Sequence, residues 1–476
     1  MLETKDRPVK LGLAALVAII VTTLVFVFGY QEFPQLVALF LILLLILFFS
    51  WRPIWGIYVL SALGFFLGWE IVFSKYQWAH QWGFLSQINA PLVDLLAIPV
   101  LIGVVVALLL GQVSLDKKQR WMLAKISFGY ILFLLLGLLS NYLQADHFAL
   151  NGSIKYWLRP VLFSGLGYFV LLFLVIRKKT ELIKIIHLWM FLGVAMAVFG
   201  LISLFMVSSN GWWRAVPFAV HGFAPLGYNH NLLAQALIPI IPLFWFFLLE
   251  KTSLSPRKKQ IFWSGLGLVI LVGLLTLSRA FWLALAVQVL VGLAVFRQVP
   301  GWGGAAKIIF KIGGVIAILA LVIYMAAFLF SPIVSSSTFS RWETIRTVFF
   351  YTGEQPWLGY GSGRFEEVLN DTYIYTLEFG PTLDAHGFWQ KMLLENGILG
   401  LLAFLGFLGY LFFCLYPQEK DGQDVHSDRL LFQALFLSAL GAVIFQIFNT
   451  SYYTSVLWLP LGLAVAGWKL AYGKEE

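Results

Sequence analysis

Charge is what this sequence has least of. Only 12% of its 476 residues are Asp, Glu, Lys or Arg, about half the share of a soluble domain, which is near 25%. That scarcity excludes an ordinary water-soluble globule. Cysteine is scarcer still. A single one, Cys414, excludes an intramolecular disulfide and a cysteine-built metal site. Near the end of an apolar run it acts as a small buried hydrophobe. No convincing internal repeat and no low-complexity linker interrupts the chain. Apolar residues supply what is left: 60% of the chain is hydrophobic and the mean hydropathy is +0.86.

Several runs exceed the roughly 18 apolar residues that mark a bilayer span. The chain therefore reads as an all-α, polytopic integral membrane protein, residues 1–476 forming one membrane domain. In lipid every span must satisfy its own backbone hydrogen bonds, which selects helices. The hydropathy predicts about fourteen spans, near 11–30, 34–50, 53–69, 91–111, 121–142, 156–176, 185–207, 228–249, 261–277, 280–296, 307–330, 387–416, 430–449 and 452–472, and is compatible with as few as twelve. A cytoplasmic N-terminus puts "DKKQR", "RKKTELIK" and "EKTSLSPRKKQ" on the cytoplasmic side, with most of the 32 lysines and arginines. Acids split almost evenly. The net charge of +9 is thus a topology signal rather than a nucleic-acid-binding surface. Both termini are expected in the cytoplasm. The first span lacks a small-x-small cleavage site and is expected to stay.

One outer connection, 331–385, is far longer than an ordinary loop. It carries helix signals: Ser340 as an N-cap, Glu343 three residues later as in a capping box, and Trp342, Ile345 and Phe349 on one face. "GEQPWLGYGSGRF" then breaks the helix with proline and glycine. These glycines are not a nucleotide loop, because no Lys-Ser/Thr ending and no preceding strand accompany them. They are expected to permit tight turns.

Arg159, Arg214, Arg279, Arg341, Arg346 and Arg364 face outside in this topology. Arg279, in "LLTLSRAFWLALAV", is pinned where two spans meet with almost no loop. A charge so near hydrocarbon needs a partner or a function; the plain alternative is snorkelling to the headgroups. Guanidinium forks pair with two oxygens at once, so an outer arginine cluster suits an anionic lipid headgroup or a lipid-linked pyrophosphate. For Arg341 and Arg346 the plain alternative is a solvated helix face. His221 and His230 in "HGFAPLGYNHN" have no nearby carboxylate, so no metal is expected; "YNHN" reads as a cap of the next span or a sugar contact. In "LDAHGFWQKMLLENGILGLL", Asp384 and His386 stand where the long loop meets a span. His386 can take a proton from a hydroxyl, although a histidine there is also a common cap or packing residue. Lys391 and Glu395, four apart, are spaced for an ion pair.

The order of these features resembles the O-antigen ligase and O-antigen polymerase family of envelope glycosyltransferases, over roughly 220–415. The matching stretches are "TLSRAFW" (Ser278, Arg279), "SRWETI" (Arg341, Trp342), "PWLGYGSGRF" (Pro356, Gly359, Gly361, Gly363) and "AHGFWQKMLLENGILGLL" (His386, Glu395, Gly397, Gly400). "GYNHNLLAQAL" is similar to the family's N-x-L-A span start. Gly387 departs from the pattern, which has asparagine after the histidine. The resemblance implies a metal-independent, cofactor-free transfer on the outer face of the bacterial cytoplasmic membrane. Its donor is a polyprenyl-diphosphate-linked glycan, and its acceptor a hydroxyl on a glycan, lipid or protein. It implies His386 as base, with Asp384 beside it, and a substrate-binding set of Arg214, Arg279, Arg341, Arg346, Glu395 and Trp342. Outward Trp212, Trp213, Trp342 and Trp357 suit sugar stacking or an interfacial aromatic belt. Two other classes remain open: a transporter, of inorganic carbon in some relatives of the family, and a non-catalytic envelope scaffold.

Overall fold

The computed structural model describes residues 34–72, 75, 89–144, 156–206, 214–219, 223–250, 255–296, 332–370, 372, 385–416, 425–450 and 452–472. Ten described helices are long and apolar enough to cross a membrane, the signature of an all-α polytopic membrane protein. A bent pair precedes them, α1 (Pro34–Trp51) and α2 (Pro53–Leu63). The ten are α3 (Leu92–Leu109), α4 (Lys117–Leu143), α5 (Tyr156–Val175), α6 (Lys179–Met206), the joined α7 (His230–Leu237) and α8 (Ile241–Leu249), α9 (Pro256–Leu275), α10 (Arg279–Phe296), α13 (Phe388–Leu415), α14 (Val425–Gln446) and α15 (Ser455–Tyr472). Two further helices, α11 (Pro332–Glu354) and α12 (Phe365–Asn370), come from the long connection. β1 (Glu70–Val72) and β2 (Asn89–Pro91) form a two-stranded antiparallel ribbon.

Each of the ten spans falls on an expected one. The spans expected near 34–50 and 53–69 instead form one bent unit, with a turn of 116°. Pro53 is the cause: it lacks an N–H and its ring crowds the preceding turn, so the helix restarts there. The spans expected at 11–30 and 307–330 lie outside the described residues.

Two spans are broken for readable reasons. Pro239 and Pro242 interrupt α7–α8, leaving a 3₁₀ turn at Ile238–Ile240. The freed carbonyls are taken up from neighbouring helices: Gln288 Nε2 donates to Ile238 O at 3.2 Å, and Ser438 Oγ to Pro239 O at 2.6 Å. Donors of this kind are what make proline tolerable inside a membrane. In α5, Pro160–Val170 is wound as a π-helix. With roughly 4.4 residues per turn rather than 3.6, positions nine apart share a face. Arg159 and Tyr168 can therefore both reach Asp94, with the Arg159 Nη2–Asp94 Oδ2 pair at 2.8 Å and the Tyr168 hydroxyl donating to Oδ1 at 2.5 Å. Asp94 is 2% exposed, and a buried carboxylate of this kind needs both partners.

α4 packs along α13, α14 along α15, and α10 along α14. The seam between α4, α5, α13 and α15 is filled with rings, Phe407 stacking on Trp458 with centroids 5.9 Å apart. The segments that the charge bias groups on one side meet at one end of this bundle. Gly68 N–H donates to Pro225 O, Ala215 N–H to Leu275 O, and Ser140 Oγ to Leu358 O. Toward the other end, Lys179 pairs with Asp428 at 2.5 Å.

Candidate functional site

Arg279 opens α10 after a very short turn from α9. The turn is tight enough that Leu277 takes φ 55°, a left-handed conformation costing a branched residue roughly 1–2 kcal/mol. Thr276 braces it, its Oγ1 donating to Gly273 O at 2.6 Å and accepting from Ser278 N–H at 3.3 Å. Gly273 is required here because a β-carbon would run into the Phe281 ring. The turn holds Arg279 at a helix N-terminus, where the backbone already favours anions. Its Nη1 donates to Thr338 Oγ1 of α11 at 3.2 Å.

Arg341 lies three residues past Thr338, on the same helix face. Arg214 arrives from a third segment. Its neighbour Ala215 is tied to Leu275 O at 2.8 Å, and Val216 N–H donates to Ser203 Oγ at 3.0 Å. The segment is thereby fixed against the end of α9. Burial pulls the Arg214 pKa below its ordinary value, because the charged form is poorly solvated there. The charges of Arg214, Arg341 and Arg279 all act on the half-buried ring of His230, the first residue of α7. Among the described residues, the buried Arg214 Nε and Ser278 Oγ have no hydrogen-bond partner. Three guanidiniums and the Ser278 hydroxyl at one end of a bundle are donors whose chemistry suits a polyanion.

His230 was not legible as part of this group. "YNHN" does cap α7, through Asn229, whose side chain accepts from Asn231 N–H at 2.9 Å. Nothing in the sequence, however, brings His230 to arginines from three distant segments.

The helix of the long connection differs from expectation in two ways. It starts at Pro332 rather than at a Ser340 cap, so Ser340 is internal and its carbonyl accepts from Thr344 Oγ1 at 2.9 Å. Glu343 makes no capping box and pairs with Arg346 at 2.9 Å, Arg346 being 66% exposed. Thr344 and Val348 are buried, and Arg341 partly so. Trp342, Phe349 and Phe350 point outward, each more than half exposed. The face carrying Trp342, Phe349 and Phe350 thus turns to the surroundings, and the one carrying Thr344 and Val348 to the protein. Arg346 and Trp342 are not brought into the group around His230.

The "PWLGYGSGRF" stretch has a structural role. α13 is interrupted at Gly397, where φ is 66° and ψ −171°. The loop wedges into that interruption. Tyr360 N–H donates to Leu394 O and Gly361 N–H to Glu395 O, while Ile398 and Leu399 N–H donate to Pro356 O and Trp357 O. Gly359, Gly361 and Gly363 all have positive φ, so the expected tight turns are present. Glu395 is 1% exposed. Its Oε1 accepts from Phe365 N–H at 3.3 Å and its carbonyl from Ser140 Oγ at 3.1 Å. Asn141 Oδ1 accepts from Ser362 N–H at 2.6 Å. Glu395 therefore anchors the loop. Lys391 is nearly buried, its ammonium 5.6 Å from the Tyr453 ring, on which Arg159 also stacks at 4.6 Å.

His386 is half-buried and sits just before the N-cap Gly387 of α13. Its backbone N–H donates to Gln390 Oε1 at 3.0 Å, which fixes the chain entering the helix. A β-carbon at Gly387 would collide with the Ile447 carbonyl oxygen, which explains why asparagine is absent there. Asp384, Trp212, Trp213 and His221 lie outside the described residues. Among the described residues no three His, Cys, Asp or Glu side chains gather as metal ligands. No protein-family model matches the chain, and no curated protein is significantly similar to it.

Proposed function

We propose that the protein is a membrane glycosyltransferase of the O-antigen ligase and polymerase type. It moves a glycan from a polyprenyl-diphosphate-linked donor to an acceptor hydroxyl at the outer face of the bacterial cytoplasmic membrane, with both termini cytoplasmic. The observation that carries this reading is that the Arg214 segment, tied through Ala215 N–H to Leu275 O, and α11, tied through Thr338 to Arg279, meet at the tight turn between α9 and α10. A pyrophosphate at a membrane edge is the anion that three forked donors and a helix N-terminus suit best. The donor's own geometry then fixes the chemistry. The acceptor oxygen bonds to the sugar's anomeric carbon, and the bond from that carbon to the phosphate oxygen breaks. Its electron pair leaves on the pyrophosphate held by the arginines. The hydroxyl proton passes to His386, which stands where the outer loop meets the span. The acceptor is a glycan, a lipid or a protein hydroxyl, and no cofactor takes part.

The test is transfer from a lipid-linked donor by the purified protein. Arg279→Lys keeps the charge and loses the fork, so transfer falls about 10- to 100-fold while membrane insertion is retained. Unchanged transfer leaves only a snorkelling arginine. His386→Ala lowers transfer by about 10²–10⁴-fold with donor binding intact; equal loss of binding makes His386 a donor ligand instead. An impermeant thiol reagent on intact cells labels a cysteine at position 336 and spares one at 423; the reverse pattern overturns the orientation.

A second reading is transport of a small anion such as inorganic carbon. It is favoured by the broken α7–α8 span, since interrupted helices line substrate paths in transporters. Anion flux into proteoliposomes that is lost in Gln288→Leu, from a protein that shows no glycan transfer, selects it over the enzyme. A scaffold would tolerate loss of both Arg279 and His386.

A further inference from the structure

Between the arginine group and His386 lie three carboxamides with no role assigned above. Asn449 Nδ2 donates to Gln235 Oε1 at 3.1 Å, and Asn449 Oδ1 accepts from Thr450 N–H at 3.0 Å. Gln235 is five residues past His230 on α7. Asn449 is two residues past Ile447, whose carbonyl abuts Gly387 next to His386. Gln446 closes α14. The Ser438–Pro239 and Asn449–Gln235 hydrogen bonds together run α14 antiparallel to α7–α8, so Gln446, eight residues past Ser438, is level with the first turns of α7. The carboxamides thus bridge the two groups of the proposed site.

Their hydrogen bonding is incomplete. Gln235 and Gln446 are 2% and 1% exposed. Among the described residues, Gln235 Nε2 has no partner, and neither does Nε2 or Oε1 of Gln446. A buried carboxamide without partners is strongly unfavourable. Other buried glutamines in this seam spend their Nε2 groups on stitching, while Oε1 of Gln288 and of Gln433 is without a partner among the described residues. Gln288 Nε2 bonds the Ile238 and Leu437 carbonyls, and Gln433 Nε2 the Val295 carbonyl. Gln446 stitches nothing. The unspent groups, two donors and one acceptor on neighbouring carboxamides, match hydroxyls, each of which both donates and accepts.

We propose that Gln235, Gln446 and Asn449 form a hydroxyl-binding subsite that holds the sugar attached to the diphosphate. This rests on the glycosyltransferase reading, since the reacting sugar must lie between the anion held by arginine and the base. Asn449 positions Gln235 by fixing its Oε1, which turns Nε2 toward the ligand. Gln446 contacts the sugar with both ends of its carboxamide.

The experiment uses the full chain in nanodiscs. It measures binding of bare undecaprenyl diphosphate and of the same carrier bearing single hexoses or N-acetylhexosamines. In the wild type at least one sugar raises affinity over the bare carrier. Gln446→Met, close in volume and apolar, lowers that affinity by about tenfold or more, the worth of one to two hydrogen bonds. Binding of the bare carrier is unchanged, and the melting temperature without ligand is equal or higher. If Gln446→Met keeps the sugar increment, or loses affinity for both probes equally, the subsite is wrong and the glycosyltransferase reading stands. The same holds if no sugar adds affinity in the wild type. A wild type that binds neither probe overturns that reading and the subsite with it. Gln446→Leu repeats the measurement should the methionine variant unfold; unfolding of both makes Gln446 a fold-holding residue and overturns the inference.

Discussion

Replacing Gly397 by alanine tests the joint between the outer loop and α13. The residue occupies φ 66°, ψ −171°, a region essentially reserved for glycine and costing a side-chain-bearing residue about 1–3 kcal/mol. A β-carbon there would also strike the Trp357 carbonyl, and that is backbone, which cannot swing aside. Relief comes only by expelling the loop, which forfeits the four backbone hydrogen bonds that Tyr360, Gly361, Ile398 and Leu399 donate across the joint. At about 0.5–1.5 kcal/mol each the bonds are worth about 2–6 kcal/mol, and with the backbone strain the total loss is about 3–9 kcal/mol. Gly406 on the same helix is the control. A β-carbon there meets nothing within 4 Å, so Gly406→Ala gains up to about 1 kcal/mol of helix propensity. Thermal unfolding in detergent, read beside limited proteolysis of the 356–363 loop, should show opposite signs for the two alanines. A Gly397→Ala protein that melts with the wild type and protects the loop equally would refute the wedge.

Further outcomes follow from other contacts. Gly273→Ala drives a methyl into the Phe281 ring and costs about 1–3 kcal/mol; because the same turn carries Arg279, donor binding should weaken as well, by titration with the bare lipid carrier. Leu277→Gly removes left-handed strain and should raise stability by up to about 1 kcal/mol, measured by the unfolding midpoint. Glu395→Ala strands the Phe365 N–H and costs about 1–3 kcal/mol. Its loop should become protease-sensitive while donor affinity in the folded fraction holds; affinity lost without loosening of the loop would make Glu395 a ligand.

The spans were legible because apolar runs of about eighteen residues have little other use. Every described span falls on such a run, and Pro53 explains the one place where two runs merge into a bent pair. The arginine group was half legible. Arg279 stood out because a charge at a two-span turn is costly, but its meeting with Arg214, Arg341 and His230 depends on contacts between distant segments. α11 was legible as a helix but not in its start. Trp342 and Phe349 do share an exposed face, while Ser340 and Glu343, which read as a cap and a capping box, are internal because the helix runs back to Pro332. The glycines of "PWLGYGSG" were legible as tight turns, and those turns are present. Glu395 looked like site chemistry because a carboxylate suits it; its part in the joint depends on the helix break at Gly397, which no residue pattern announces.

The joint has a consequence for how this protein can change over time. Four of its hydrogen bonds run between main-chain atoms, so at Trp357 and Leu358 the joint asks for a backbone rather than for a particular side chain. What heredity must preserve is a rhythm: glycines at 359, 361 and 363 answered by one at 397. Lineages could drift at Trp357 and Leu358 and still assemble the same clasp, provided that rhythm survives together with the side-chain anchors Ser140, Asn141 and Glu395.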